Sequence, residues 1–237
     1  MKKDISIVQP EISGLAIPQG KLIFIPFLPD SQLINEVKKR SRLKINLKPG
    51  QLFYLPDRAV LYGAVGAPAC ILALERVRLL RLKEILVLSY CGSLSSSLRI
   101  GQAFIPLKAW SDEGTSKHYV AKRKAIYRPS PDLVFSLKNF LNEHGLRFSS
   151  GPIVSTDAPF RETASWLKQM QEKGVKAVDM EISAVLSFSV FYGIKSAGLF
   201  IVSDELFSGR WVEASSSPEV KKAGQEYFLP LILTKFN

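Results

Sequence analysis

At 237 residues the chain is long enough to bury one sizeable core, and 46% hydrophobic with 22% charged residues excludes general disorder. The formal net charge of +11 would suit a surface that attracts phosphates or nucleic acid, but no zinc-finger spacing or aromatic-interleaved basic strip accompanies it. The longest apolar runs, residues 22–28 and 85–88, fall far short of the ~20 residues that span a bilayer.

The chain begins Met1-Lys2-Lys3-Asp4 with no apolar signal region after it, and Cys70 and Cys91 both sit in apolar surroundings. Two reduced, buried thiols and a cytoplasmic location are therefore expected, with no membrane association. Strand and helix signals then alternate. Residues 21–26 read as a buried strand and residues 33–44 have helical spacing. Residues 51–55 and 59–65 read as two short strands around Pro56-Asp57. Pro68 opens a helix carrying Ile71, Leu74, Val77, Leu79 and Leu82. Residues 84–90 form a near-continuous apolar strand, the pattern of a strand covered on both faces. Residues 103–107 and 147–155 read as strands, and residues 132–144 as a helix ending before Gly145. Residues 161–173 and 181–192 read as helices stopped by Gly174 and Gly193, residues 195–203 as a strand, and Pro218 onward as a last helix. This alternation predicts an α/β fold, a three-layer αβα sandwich around a mixed, largely parallel twisted sheet, with residues 1–237 as a single domain.

In open α/β sheets ligands bind at the carboxyl ends of the strands. Four such ends here are polar or glycine-rich: Gly63-Ala-Val-Gly66, Ser89-Tyr90-Cys91-Gly92-Ser93, Ser155-Thr156-Asp157 and Ser203-Asp204-Glu205. The glycine-rich ends match neither a Walker motif nor G-x-G-x-x-G. The last end delivers a carboxylate, Asp204, from a buried strand, and Asp179-Met180-Glu181 brings two more acids at the head of an apolar helix.

Taken in order, Gly63-Ala-Val-Gly66-Ala-Pro68 with Leu74-Glu75, Ser89-Tyr-Cys-Gly92-Ser with Arg99-Ile-Gly101, Asp112-Glu-Gly114-Thr, Ser155-Thr-Asp157-Ala-Pro-Phe160, Val178-Asp179-Met180-Glu181 and Val202-Ser203-Asp204 resemble the nucleoside phosphorylase superfamily. The resemblance covers residues 21–211 and implies a small-molecule nucleoside as ligand, a homo-oligomer, no organic cofactor or metal, and inorganic phosphate as co-substrate. It places Glu181 on the ribose hydroxyls, Met180 under the sugar, Phe160 stacked on the base, and Tyr90, Cys91 and Gly92 along the substrate. Asp204 would assist the base to leave, which requires a raised pKa beside Glu205 and Glu181. Asp179, two positions from Glu181, faces elsewhere and is expected to cap the helix.

The chain departs from the family on the side of the nucleophile. Val87 stands where phosphorolytic members carry an arginine, Tyr90 where they carry a small hydroxyl residue, and Pro26-Phe-Leu-Pro29-Asp30 lacks the arginine of the first loop. Gly66, Arg58 and Arg99, or Lys48 and Arg161, are the candidates for holding phosphate instead. Phe200 replaces the arginine of the hydrolytic members, and the insert that reads uracil is missing, which favours a purine-type base. The functions left open are a nucleoside phosphorylase, a hydrolytic nucleosidase, a non-catalytic nucleoside-binding protein and, least favoured, a non-specific nucleic-acid binder. His118 is expected at the surface.

Overall fold

The computed structural model describes residues 6–27, 31–120 and 126–234. Among them run, in chain order, β1 (Lys21–Ile25), α1 (Ser31–Arg40), β2 (Leu43–Asn46), β3 (Gln51–Tyr54), β4 (Ala59–Tyr62), α2 (Ala67–Val77), β5 (Glu84–Ser93), β6 (Ala103–Asp112) and β7 (Ile126–Tyr127). There follow α3 (Pro131–Glu143), β8 (Phe148–Thr156), α4 (Ala164–Glu172), β9 (Ala177–Asp179), α5 (Ile182–Tyr192), β10 (Lys195–Glu205), β11 (Val212–Glu213) and α6 (Pro218–Leu233).

All eleven strands join one mixed sheet in the order β11-β10-β6-β8-β9-β5-β1-β4-β3-β2, with β7 on β6. The central strands bury both faces. On β5, Ile85 and Val87 enter one apolar cluster with α2 and α5, while Leu86 and Leu88 enter the other with α1, α3 and α6. On β10, Phe200 and Val202 take the first side, and Ala197, Leu199 and Ile201 the second. Strands so enclosed read as continuous apolar runs, and the two clusters make the expected three layers. A smaller cluster seats α4 through Leu167 and Met170 against Val154 and Val178.

One feature goes beyond a simple sandwich. Strand β10 pairs with β5 as well as with β6, and β9 bridges β8 to β5, so β5, β10, β6, β8 and β9 pair in a closed ring. Closure removes strand edges and brings the tips of β5, β9 and β10 side by side.

Several boundaries differ from the sequence reading. The helix predicted over residues 33–44 stops at Arg40, and Leu43–Asn46 pairs with β3 instead. Helical spacing of apolar residues continues past Arg40, but the edge of β3 offers a whole ladder. The helix predicted from residue 161 begins at Ala164, because a 3₁₀ turn at Pro159–Arg161 intervenes and Thr163 caps the helix from Trp166 N–H. The helix predicted from Glu181 begins at Ile182, and Ala177–Asp179 before it forms β9. Three residues carry too little periodicity to announce a strand.

Candidate active site

A cavity of about 420 Å³ opens at the carboxyl ends of β5, β9 and β10. Its wall includes Tyr90, Cys91, Gly92, Phe160, Met180, Glu181 and Asp204, seven of the residues assigned to a site from sequence. It also includes Phe27, Val65, Glu162, Ser203 and Trp211. Of the first-loop segment Pro26-Phe-Leu-Pro29-Asp30, the last three residues fall outside the described residues.

The corner between β9 and α5 is built around Asp179. Its Oδ2 accepts from the backbone N–H of Glu181 at 3.0 Å and of Ile182 at 2.7 Å, and its Oδ1 accepts from Ser155 Oγ at 2.6 Å. Asp179 thus satisfies the first N–H groups of α5, the task of an N-terminal cap. Behind it, Ser155 Oγ accepts from Ser183 N–H at 2.9 Å, and Ser183 Oγ donates to Glu113 Oε1 at 2.9 Å. Burial raises the Glu113 carboxyl, but donors from Ser116, Ser111 and the backbone outweigh it and hold that group below its ordinary value.

Because Asp179 does the capping, the Glu181 side chain is released to the cavity. Its Oε1 accepts from Gly66 N–H at 2.7 Å. Gly66 has φ of +83° at the head of α2, a left-handed conformation that L side chains rarely adopt. Burial pushes the Glu181 carboxyl upward, and the neighbouring Asp179 charge adds to it. Asp179 is raised as well, first by burial. The Gly66 N–H proposed for phosphate is therefore engaged by a carboxyl.

Asp204 owes its position to an irregularity. The register of β10 on β5 runs Val202 against Cys91 and then Asp204 against Gly92, leaving Ser203 as an extra residue. Such bulges re-aim side chains next to active sites. Asp204 Oδ1 accepts from Ser203 Oγ at 2.7 Å, and Oδ2 accepts from Trp211 Nε1 at 3.0 Å. The facing position is crowded for any side chain: a Cβ at Gly92 would lie 3.0 Å from Asp204 Oδ2, 3.0 Å from Val178 Cγ1 and 2.8 Å from Leu206 Cδ1. Glu205, expected beside Asp204, turns away and accepts from Arg99 Nε at 2.8 Å.

Phe160 lies at the mouth, 89% exposed, its ring 6.4 Å from that of Trp211 in an edge-to-face pair. Met180 is a half-buried residue of the same cavity wall. On the opposite wall Tyr90 packs 4.5 Å from Phe27 and 5.8 Å from Phe228, measured between ring centroids. The Tyr90 hydroxyl fits because α6 carries Gly224 there, where a Cβ would come within 2.5 Å of it.

The cations proposed for phosphate are elsewhere. Arg58 precedes β4, at the opposite end of the strand from the Gly63–Gly66 turn, buried with its guanidinium on Asp57 and on the Leu231 carbonyl at 2.8 Å. Arg99 is bound to Glu205 and lies over the Phe207 ring. Lys48 lends its carbonyl to Arg76 at the sheet's far edge, and Arg161 and His118 are exposed. Among the described residues no lysine or arginine lines the cavity, whereas Glu162, Asp179, Glu181 and Asp204 all do. Cys70 and Cys91 are buried and unbridged, and burial pushes both thiols upward.

Sequence reasoning passed over Glu162 and Trp211. Glu162 sits one residue before the cap of α4, where an acid is unremarkable in sequence. In space it enters the cavity, and burial together with the Asp204 charge pushes it up to about 7. Trp211 lies in the turn before β11, and only the pairing of β10 with β11 folds it back over Asp204.

A carboxyl-lined, aromatic-mouthed cavity at the strand tips of a ring-closed α/β sheet is a small-molecule site suited to stabilising positive charge. The sequence model of the phosphorylase superfamily matches residues 57–227, and the chain belongs to that superfamily of nucleoside phosphorylases and nucleosidases. The chain is 23% identical to the guanosine phosphorylase of Halorubrum lacusprofundi over 170 residues, covering 72% of this chain and 70% of that one. Among solved structures it resembles the purine nucleoside phosphorylase of Toxoplasma gondii in complex with immucillin-H, with a TM-score of 0.72, 20% identity and coverage of 91% and 89%. It also resembles the 5'-methylthioadenosine/S-adenosylhomocysteine nucleosidase of Helicobacter pylori, with a TM-score of 0.70, 15% identity and coverage of 90% and 96%. At these identities the likeness to solved structures is one of fold. No helix among the described residues is long and apolar enough to cross a membrane.

Proposed function

We propose that this protein is a hydrolytic nucleosidase, cleaving the N-glycosidic bond of a purine-type nucleoside with water as acceptor. The observation that carries the reading is the composition of the cavity wall: four carboxyls, aromatic rings and no cation among the described residues. Breaking the bond builds positive charge on the sugar, which buried carboxylates stabilise. A phosphate dianion entering the same space would meet those carboxylates with no positive partner among the described residues, and desolvating an unpaired charge is costly. The expected phosphate acceptor therefore gives way to water.

Each residue then has a task. Glu181, fixed by Gly66 N–H and freed from capping, takes the ribose hydroxyls. Met180 packs against the sugar, Phe160 and Trp211 cover the base, and Asp204 and Glu162 face the base's polar edge. Gly92, by lacking a side chain, lets Asp204 and Val178 pack close against β5. A phosphorolytic reading remains second, favoured by the guanosine phosphorylase relative. A panel of purine and pyrimidine nucleosides assayed with and without phosphate tests both. Base release in phosphate-free buffer, unchanged by adding phosphate and lost in Asp204→Asn and Glu181→Gln, is the expected result. Release that depends on phosphate supports the second reading, and tight nucleoside binding without release refutes both.

A further inference from the structure

We infer that Glu113, which lies behind the cavity wall, is a positioning residue of the sugar subsite: it fixes the head of α5 and, through it, the carboxyl of Glu181. The inference rests on the ribose role given to Glu181 above and assigns what holds that residue in place.

Glu113 follows β6 and is buried, where a carboxyl without partners is strongly destabilising. Four donors meet it. Oε1 accepts from Ser111 Oγ at 2.7 Å and from Ser183 Oγ at 2.9 Å. Oε2 accepts from the backbone N–H of Thr115 at 2.5 Å and of Ser116 at 3.0 Å. Burial pushes the group upward, and these donors outweigh it and hold it ionised at neutral pH.

An ionised carboxylate only accepts, so it dictates the direction of every bond behind it. The Ser183 hydroxyl proton points to Glu113. Ser183 N–H donates to Ser155 Oγ at 2.9 Å, and the Ser155 proton points to Asp179 Oδ1 at 2.6 Å. Asp179 Oδ2 ends the chain on the N–H groups of Glu181 at 3.0 Å and Ile182 at 2.7 Å. Ser155 and Ser183 are both fully buried, so solvent cannot replace a broken link. A local reason for Glu113 covers only half of this. Capping the 3₁₀ turn at Ser116–His118 uses Oε2 alone. The other oxygen reaches across to Ser183, 70 residues away in sequence and two past Glu181. On the cavity side Glu181 Oε1 accepts from Gly66 N–H, and its free reach toward a sugar is set by the backbone that this chain anchors.

The test reads discrimination at the sugar. The probes are whichever of adenosine, guanosine or inosine the protein takes best, and its 2′,3′-dideoxy counterpart. The ratio of their kcat/KM values is measured, or of their Kd values by calorimetry if no base is released. The unaltered protein should favour the ribonucleoside by about 10-fold or more, since a carboxylate accepts from both hydroxyls. Glu113→Gln turns an amide NH₂ toward bound donors and should cut that preference about tenfold, while the dideoxynucleoside changes by less than about threefold. Ser183→Ala removes one link with little change of volume. It should cut the preference by about threefold or more and add nothing to Glu113→Gln, and it serves as the test if the Gln variant does not fold. Glu113→Gln should also add nothing to Glu181→Gln. A merely structural role would weaken both probes alike. Equal losses on the two probes, or an unaltered preference in folded Ser183→Ala, would overturn the inference and leave the nucleosidase reading in place. No preference for the ribonucleoside in the unaltered protein would overturn the inference together with the ribose role of Glu181. Absence of base release, with the preference present and lost in the variants, would overturn the nucleosidase reading and support the inference.

Discussion

Glu162→Gln should stabilise the protein, and only at neutral to alkaline pH. In the folded state the carboxyl holds its proton up to about 7, against 4.5 for an ordinary glutamate. Between those values the folded protein binds a proton that the unfolded chain has released, so stability declines as pH rises through the window. The whole interaction difference amounts to about 3 kcal/mol at 1.36 kcal/mol per pH unit. Glu162 sits at a solvent-open mouth, and screening reduces this to about 1–2 kcal/mol. Glutamine keeps the shape and cannot ionise. The variant should match the unaltered protein near pH 4.5 and exceed it by about 1–2 kcal/mol at pH 8, or about 2–8 °C in Tm for a chain of this size. Urea denaturation at the two pH values measures the difference directly. An advantage of the same size at both pH values, or a loss at pH 8, would refute the placement of Glu162 in a low-dielectric site facing a carboxylate.

Two further outcomes separate the site from its surroundings. Gly92→Ala puts a methyl group 3.0 Å from Asp204 Oδ2 and 2.8 Å from Leu206 Cδ1; overpacking should cost about 1–3 kcal/mol and displacement of Asp204 about 10²-fold in kcat/KM, read by base release and thermal melting together. Arg58→Ala strips Asp57 and the Leu231 carbonyl of a buried guanidinium; it should cost about 2–4 kcal/mol in denaturant unfolding and leave kcat/KM within about twofold, whereas a selective loss of activity would return Arg58 to the site.

What could be read in advance follows from the range of the forces involved. The fold class was legible because apolar runs on β5 and β10 report burial on both faces, a local property of the sequence. Asp179 was legible as a cap because capping acts within three residues. The ring closure was not, since it depends on β10 meeting two partners more than 90 residues apart from it in sequence. Nor was Glu205's turn away from Asp204: adjacent acids look like a pair in sequence, but the bulge at Ser203 and the draw of Arg99 separate them. Glu162 was hidden for the opposite reason. An acid before a helix has a sufficient local explanation, and only the folded chain shows a second use for it.

Among the described residues, the nucleophile side of the cavity is closed by apolar and aromatic packing. Val87 is fully buried in the cluster with α2 and α5, so an arginine there would need its own buried partner. Tyr90 fills the space of a smaller residue, and its ring finds Phe27 and Phe228 on either side. Its hydroxyl is admitted by Gly224, a residue that weakens the interior of α6 by about 1 kcal/mol and has no other evident use there. Phe27, Tyr90, Phe228 and Gly224 come from three separate elements and fit one another. The wall is closed by interlocking aromatic packing. If the nucleosidase reading holds, Gly224→Ala, by driving Tyr90 toward the cavity, should weaken nucleoside binding without creating any response to phosphate. A gain of phosphate dependence in that variant would show that the aromatic wall masks an anion site instead of replacing it.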